Sequence, residues 1–131
     1  MRLINLTRNA LLAQNVRVAA NFRSRLKGLM GRRKMEPGEA LVLEKCRAVH
    51  TCFLRFHIDV AFLDEKGTVL KTLVNLPPYR FTMPVPGARR VVELPAGVLL
   101  KTGTVPGDTL SFSEKEVIRN EKHGAQNFHC H

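Results

Sequence analysis

The chain has 131 residues, the size of one domain and long enough to bury a core without disulfide or metal staples. At 44% hydrophobic and 24% charged residues it is globular in composition, not disordered, and its apolar runs are far shorter than a membrane span or signal-peptide core. The formal net charge is +10, from 21 Lys and Arg against 11 Asp and Glu, while Trp is absent and aromatics make up 6%, which argues against a base-stacking or carbohydrate platform. The three cysteines, Cys46, Cys52 and Cys130, are too few and too odd in number for a disulfide framework. The chain therefore reads as cytoplasmic.

Arg2–Leu6 and Val16–Ala19 are predicted as short strands. Asn21 is a candidate N-cap, and Phe22, Leu26, Leu29 and Met30 then recur at helical spacing, with Gly31 as a stop. Glu36-Pro-Gly38 signals a turn and Ala40–Leu43 a strand. Ile58–Leu63 and Thr68–Val74, joined by Asp64-Glu-Lys-Gly67, are predicted to form a β-hairpin. The proline-rich stretch from Leu76 to Gly87 is a loop, since proline removes a backbone donor that a central strand needs. Arg90–Leu94 is a strand, Val98–Lys101 a helical turn, Pro106-Gly-Asp108 a turn and Thr109–Ser113 a last strand. This pattern predicts a mainly β fold over residues 1–113: a small antiparallel barrel or sandwich with one short helix near the N-terminus. Residues 114–131 read as a polar, fraying tail.

The stretch from Thr51 to Asp64 is the most informative. Read with the strand period of two, Leu54, Phe56, Ile58, Val60 and Phe62 take one face, and Arg55, His57 and Asp59 the other. Neighbours in that polar row would stand about 6.7 Å apart. Glu93 is predicted to share a face with Val91. It could join the row, or form a buried pair with Arg55, whose planar fork suits a carboxylate. An Arg55–Asp59 pair is the other structural reading.

Other chemistry is less legible. Cys46, His50, Cys52 and His57 are metal-capable types, but they lack the spacing of a zinc site. His129, Cys130 and His131 could scavenge a metal from the tail. No phosphate-binding glycine loop, nucleophile elbow or cofactor motif is present, so no cofactor is expected. The densest cationic run, Arg23, Arg25, Lys27, Arg32, Arg33 and Lys34, is either a polyanion site or a solvated basic face.

Four segments in order carry a resemblance. They are Arg25-Leu-Lys-Gly-Leu-Met-Gly-Arg32, the run from His50 to Asp64, Glu93-Leu-Pro-Ala-Gly97 and Gly107-Asp108. Together they resemble the uncharacterised prokaryotic family known as domain of unknown function 192, across about Ala13 to Phe112. The resemblance implies a compact, mainly antiparallel β fold and no established activity. It also implies a polar site at Arg55, Asp59 and Glu93, with Asp108 in the Gly-Asp turn. The family pattern has Met at the position of Leu54 and Pro at that of His57, so any accessory role of His57 would be particular to this chain.

Three functions follow as expectations. The first is a binding module that holds a small anionic or polyhydroxylated ligand in a polar cleft of Arg55, Asp59 and Glu93. The second is a hydrolase or lyase with Asp59 or Glu93 as acid and base. The third is a nucleic-acid binder that uses Arg23 to Lys34.

Overall fold

A computed structural model describes residues 1–20, 29 and 31–114. They form two sheets. The smaller has the order β2-β1-β8, with β1 at Arg2–Asn5, β2 at Ala10–Ala13 and β8 at Leu110–Ser113. The larger has the order β3-β4-β7-β5-β6: Asn15–Ala19, Glu39–Glu44, Arg90–Pro95, Ile58–Leu63 and Val69–Leu76. A single turn of helix, α1, spans Val98–Thr102 and links β7 to β8.

The large sheet is covered on both faces. Toward the small sheet, Ala40, Val42, Ala61, Leu63, Val92 and Leu94 pack with Leu3, Leu12, Leu110 and Leu99 of α1. On the far face, Leu41, Leu43, Ile58, Val60, Phe62 and Val91 pack with Leu29, Met35, Val49, Leu54, Val85 and Ala88. This double covering explains why β5 is buried at every residue, as central strands buried on both sides usually are. Its sequence alternation is therefore not one of core against solvent.

The barrel form and the all-antiparallel pairing are corrected, while the two-sheet alternative stands. The sheets form no closed barrel, and the large one is mixed: β3 and β4 run parallel, Asn15 opposite Glu39 through Ala19 opposite Leu43, while its other pairs are antiparallel. A parallel pair cannot be joined by a tight turn, which is why the long connection between β3 and β4 exists. The predicted N-terminal helix falls in that connection and lies outside the described residues, apart from Leu29, which is helical and buried. The described helix is the predicted turn at Val98, near the other end of the chain. Strand β2 was not foreseen. It pairs back on β1 through a turn in which Asn5 Oδ1 accepts the Arg8 N–H at 3.0 Å.

The predicted β5–β6 hairpin forms. Asp64 Oδ1 accepts the N–H groups of Lys66 and Thr68, each at 2.9 Å, and so shapes the turn. Gly67 closes it at φ +89°, and a Cβ there would sit 2.5 Å from the Leu110 carbonyl oxygen. Only glycine allows both the left-handed backbone and this approach of the two sheets.

Candidate functional site

The polar row does not form, because the strand begins only at Ile58. Upstream, Thr51 draws the chain into a turn. Its carbonyl accepts the N–H of Leu54 and of Tyr79, each at 3.1 Å, and its hydroxyl donates to the Pro77 carbonyl at 2.7 Å. That turn tucks Leu54 into the far-face core and leaves Arg55 and His57 exposed. Arg55 makes no ion pair with Asp59 or Glu93, so both predicted Arg55 pairs are absent among the described residues.

Asp59 lies on β5, wholly buried, on the face toward the small sheet. Its carboxylate accepts three backbone donors: Asn75 N–H at 2.8 Å, Gly97 N–H at 3.1 Å and Leu99 N–H at 2.9 Å. Gly97 and Leu99 belong to the start of α1, so Asp59 acts as a remote cap for a helix that has no side-chain cap of its own. The third bond ties in β6 where Asn75 takes φ +57°.

Glu93 is also wholly buried, but on the opposite face. In the register of β5 with β7 it stands beside Val60, while Asp59 stands beside Leu94, and on its other side Glu93 meets Leu41 of β4. Val60 and Leu41 belong to the far-face core and Leu94 to the inter-sheet core. Paired residues of neighbouring strands share a face. The sheet therefore separates the two carboxylates, and no one point can be reached by both. Glu93 is itself engaged by a polar or electrostatic partner.

Asp108 binds the molecule together. It accepts from Asn5 Nδ2 and Arg8 Nε, each at 3.0 Å, and from Val105 N–H at 3.1 Å. The hydrogen bond from Arg8 holds its carboxyl below the ordinary value of 3.8; burial opposes this, and the bonds from Asn5 and Val105 add to it. Of the basic cluster, Arg23, Arg25 and Lys27 lie outside the described residues. Arg32 bonds Glu39 at 2.6 Å and Lys34 lies 4.0 Å from Glu36, so this part of the cluster is partly neutralised. No group of three metal-capable side chains meets among the described residues, and His129, Cys130 and His131 lie outside them.

An open concavity lies elsewhere. A cavity of about 400 Å³ lies at the carboxyl ends of the parallel pair, where Ala19 ends β3 and Ala20 follows, and Glu44 ends β4 and Lys45 follows. Cys46, Val49, His50, Phe81 and Thr82 complete its wall. Two loop segments build that wall by pairing as a short irregular ladder: Val85 N–H to the Arg47 carbonyl at 3.0 Å, Thr82 N–H to the Val49 carbonyl at 3.0 Å and Thr51 N–H to the Arg80 carbonyl at 2.9 Å. Most polar groups of the wall are committed. Glu44 pairs with Arg90 at 3.1 Å, the Cys46 thiol bonds the Ala48 carbonyl at 3.1 Å and the Thr82 hydroxyl bonds Val49. Lys45, held at φ +52°, makes no ion pair among the described residues. The His50 and Phe81 rings stand 5.5 Å apart at the rim.

The same architecture recurs in other proteins. The profile of the DUF192 family, described as uncharacterized ACR, matches residues 4–112. The chain belongs to that family. A UPF0127 protein of Thermococcus sibiricus is 30% identical over 118 residues, covering 87% of this chain and 76% of its own. A UPF0127 protein of Pyrococcus furiosus is 32% identical over 114 residues, covering 85% of this chain and 97% of its own. Among solved structures, a Sinorhizobium meliloti protein provisionally named a transcription regulator aligns with TM-score 0.69 and 26% identity, over 84% of this chain and 89% of that one. A Novosphingobium aromaticivorans protein of unknown function aligns with TM-score 0.69 at 19% identity, over 85% and 82%, a likeness of fold. Family membership supplies no activity. Among the described residues, no helix is long and apolar enough to cross a membrane.

The sequence singled out Cys46 and His50 among its metal-capable types, and passed over Lys45, Phe81 and Thr82. These residues meet through loop pairing, which leaves no periodic trace in a sequence. The one available signal was charge: no carboxylate occurs from Lys45 to Ile58 or from Leu76 to Ala88.

Proposed function

We propose that the protein is a small-ligand binding module whose ligand enters the cavity beside Lys45, not a cleft of Arg55, Asp59 and Glu93. The observation that carries this reading is an open cavity of about 400 Å³ with one uncommitted cation at its edge. That volume suits a molecule of one or two rings. Apolar contact with Leu43 and Val49 would hold the body of the ligand, and the Lys45 ammonium a carboxylate or phosphate group. Of the candidate residues, Arg55 and His57 stand exposed outside the cavity lining, and Asp59 and Glu93 are buried in opposite cores.

The hydrolase or lyase reading required Asp59 and Glu93 to converge on one reacting atom, and the sheet between them argues against it. A thermal-shift and ligand-observed NMR screen of aromatic carboxylates and nucleoside monophosphates tests the binding reading. The expected result is a ligand that raises the melting temperature and loses affinity in Lys45→Asn, a residue that tolerates the left-handed backbone at this position. A screen without hits, or a hit indifferent to Lys45→Asn, overturns it.

A further inference from the structure

The two segments that wall the cavity also form a larger surface. They carry Lys45, Arg47, Arg55 and Arg80, all exposed, and not one of these makes an ion pair among the described residues. No Asp or Glu occurs between Lys45 and Ile58 or between Leu76 and Ala88, so the cations face no internal counter-charge from their own segments. Elsewhere the described cations are commonly matched, as Arg8 is by Asp108, Arg89 by Glu65 and Arg90 by Glu44.

The same segments expose large apolar side chains that a monomer has no structural reason to show together. Phe53 is 52% exposed, Tyr79 73%, Phe81 77% and Met83 77%. Few aromatic residues occur in this chain, and three of them stand in solvent on two loops that are hydrogen-bonded to each other. The backbone fixes them there. Thr51 bonds the N–H of both Tyr79 and Arg80, and His50 bridges to Phe81 while its ring approaches those of Phe53 and Phe81.

Unmatched cations beside exposed rings fit one polyanion better than others. A duplex hides its base faces within the stack and offers only phosphates and base edges. A single strand offers phosphates to the cations and flat bases to the rings, and stacking of that kind tolerates any sequence. We infer that this face binds single-stranded nucleic acid, with Arg47, Arg55 and Arg80 on the phosphates and Phe53 and Tyr79 under the bases. This goes beyond the cavity proposal, since Arg55, Arg80, Phe53 and Tyr79 lie outside the cavity lining. It also uses a different surface from the cluster Arg23 to Lys34. The low overall aromatic content spoke against stacking, but content is an average and these rings are concentrated.

Fluorescence anisotropy with the full chain tests this, using a labelled 20-nucleotide single strand and the same sequence as a duplex. The expected result is binding of the single strand at least ten-fold tighter than of the duplex. Neutralising three phosphates should make that affinity fall roughly 20-fold between 50 and 200 mM salt. Phe53→Ser and Tyr79→Asn should each weaken it on the order of ten-fold, and Arg55→Ala with Arg80→Ala should flatten the salt dependence. Unaltered melting curves show that each variant is folded. Lys101→Ala, on the exposed side of α1, should change nothing. No binding at 50 mM salt, equal affinity for duplex and single strand, or full affinity in the ring variants would each overturn the proposal. Loss of cavity ligands in Lys45→Asn leaves the Phe53 and Tyr79 test intact, so the two proposals fail separately.

Discussion

The carboxylates around α1 and the cations around the cavity are opposite kinds of polar region. Asp59 and Asp108 are buried, and each accepts three hydrogen bonds, all three from distant segments for Asp59 and two, from Asn5 and Arg8, for Asp108. Lys45, Arg47, Arg55 and Arg80 are exposed and form no ion pair among the described residues. A buried charge must be fully partnered or it destabilises the fold, so the first region is used up in holding the structure. An exposed charge carries no such demand and remains available to a partner. Charged residues of one family motif can thus divide, with Asp59 serving stability and Arg55 standing in solvent.

Substitutions can break this contrast. The largest effect is expected at Asp59. Asp59→Ala leaves three backbone N–H groups without their acceptor, two of them at the start of α1. At about 1–3 kcal/mol for each unsatisfied buried group, a loss of at least about 3 kcal/mol is expected in urea unfolding. A loss below about 1 kcal/mol would mean that Asp59 is not a structural centre. Gly67→Ala comes next. It combines a strained left-handed backbone with a contact of 2.5 Å to the Leu110 carbonyl, and a loss of about 2–3 kcal/mol is expected by the same measurement.

Asp108 gives a pH signature. Its carboxyl is held below the ordinary 3.8 in the folded protein, so the unfolded chain takes up its proton first as pH falls. The stabilisation from this group is complete above about pH 5. It fades as pH drops through 3.8 and is lost once pH passes below the folded-state value. Asp108→Asn should lower stability at pH 7 and make the acid limb of the stability profile shallower. An unchanged limb would show that Arg8, which is nearly half exposed, is too well screened to matter. The smallest stability effects belong to the other region. Arg55→Ala and Arg80→Ala should each stay within about 0.5 kcal/mol of the parent, because neither side chain supports the core. A larger loss would place them among the structural charges.

Several elements were readable from residues alone. Ile58–Leu63, Arg90–Leu94 and the Asp64–Gly67 turn are local features, set by apolar runs and by a glycine beside a side chain that caps its own turn. The face of Glu93 was also legible, because alternation with Val91 needs only a regular strand. What failed was extension of that alternation back through Arg55. Leu54, Phe56 and Ile58 fit a strand, yet a turn that buries Leu54 satisfies the same spacing, and the Thr51 bonds to Pro77, Tyr79 and Arg80 select the turn. Those partners lie more than twenty residues away, and nothing around Thr51 announces them.

By itself the sequence determined a β-rich domain, the strands at its centre and the family to which the chain belongs, because burial periodicity and turn chemistry act over a few residues. The tertiary structure decided that the large sheet is covered on both sides and contains a parallel pair. It also decided that Asp59 and Glu93 face away from each other, and that two acid-free loops zip together around a cavity. These are facts of pairing between distant segments, and strand order and register are fixed by the core as a whole rather than by any residue's neighbours.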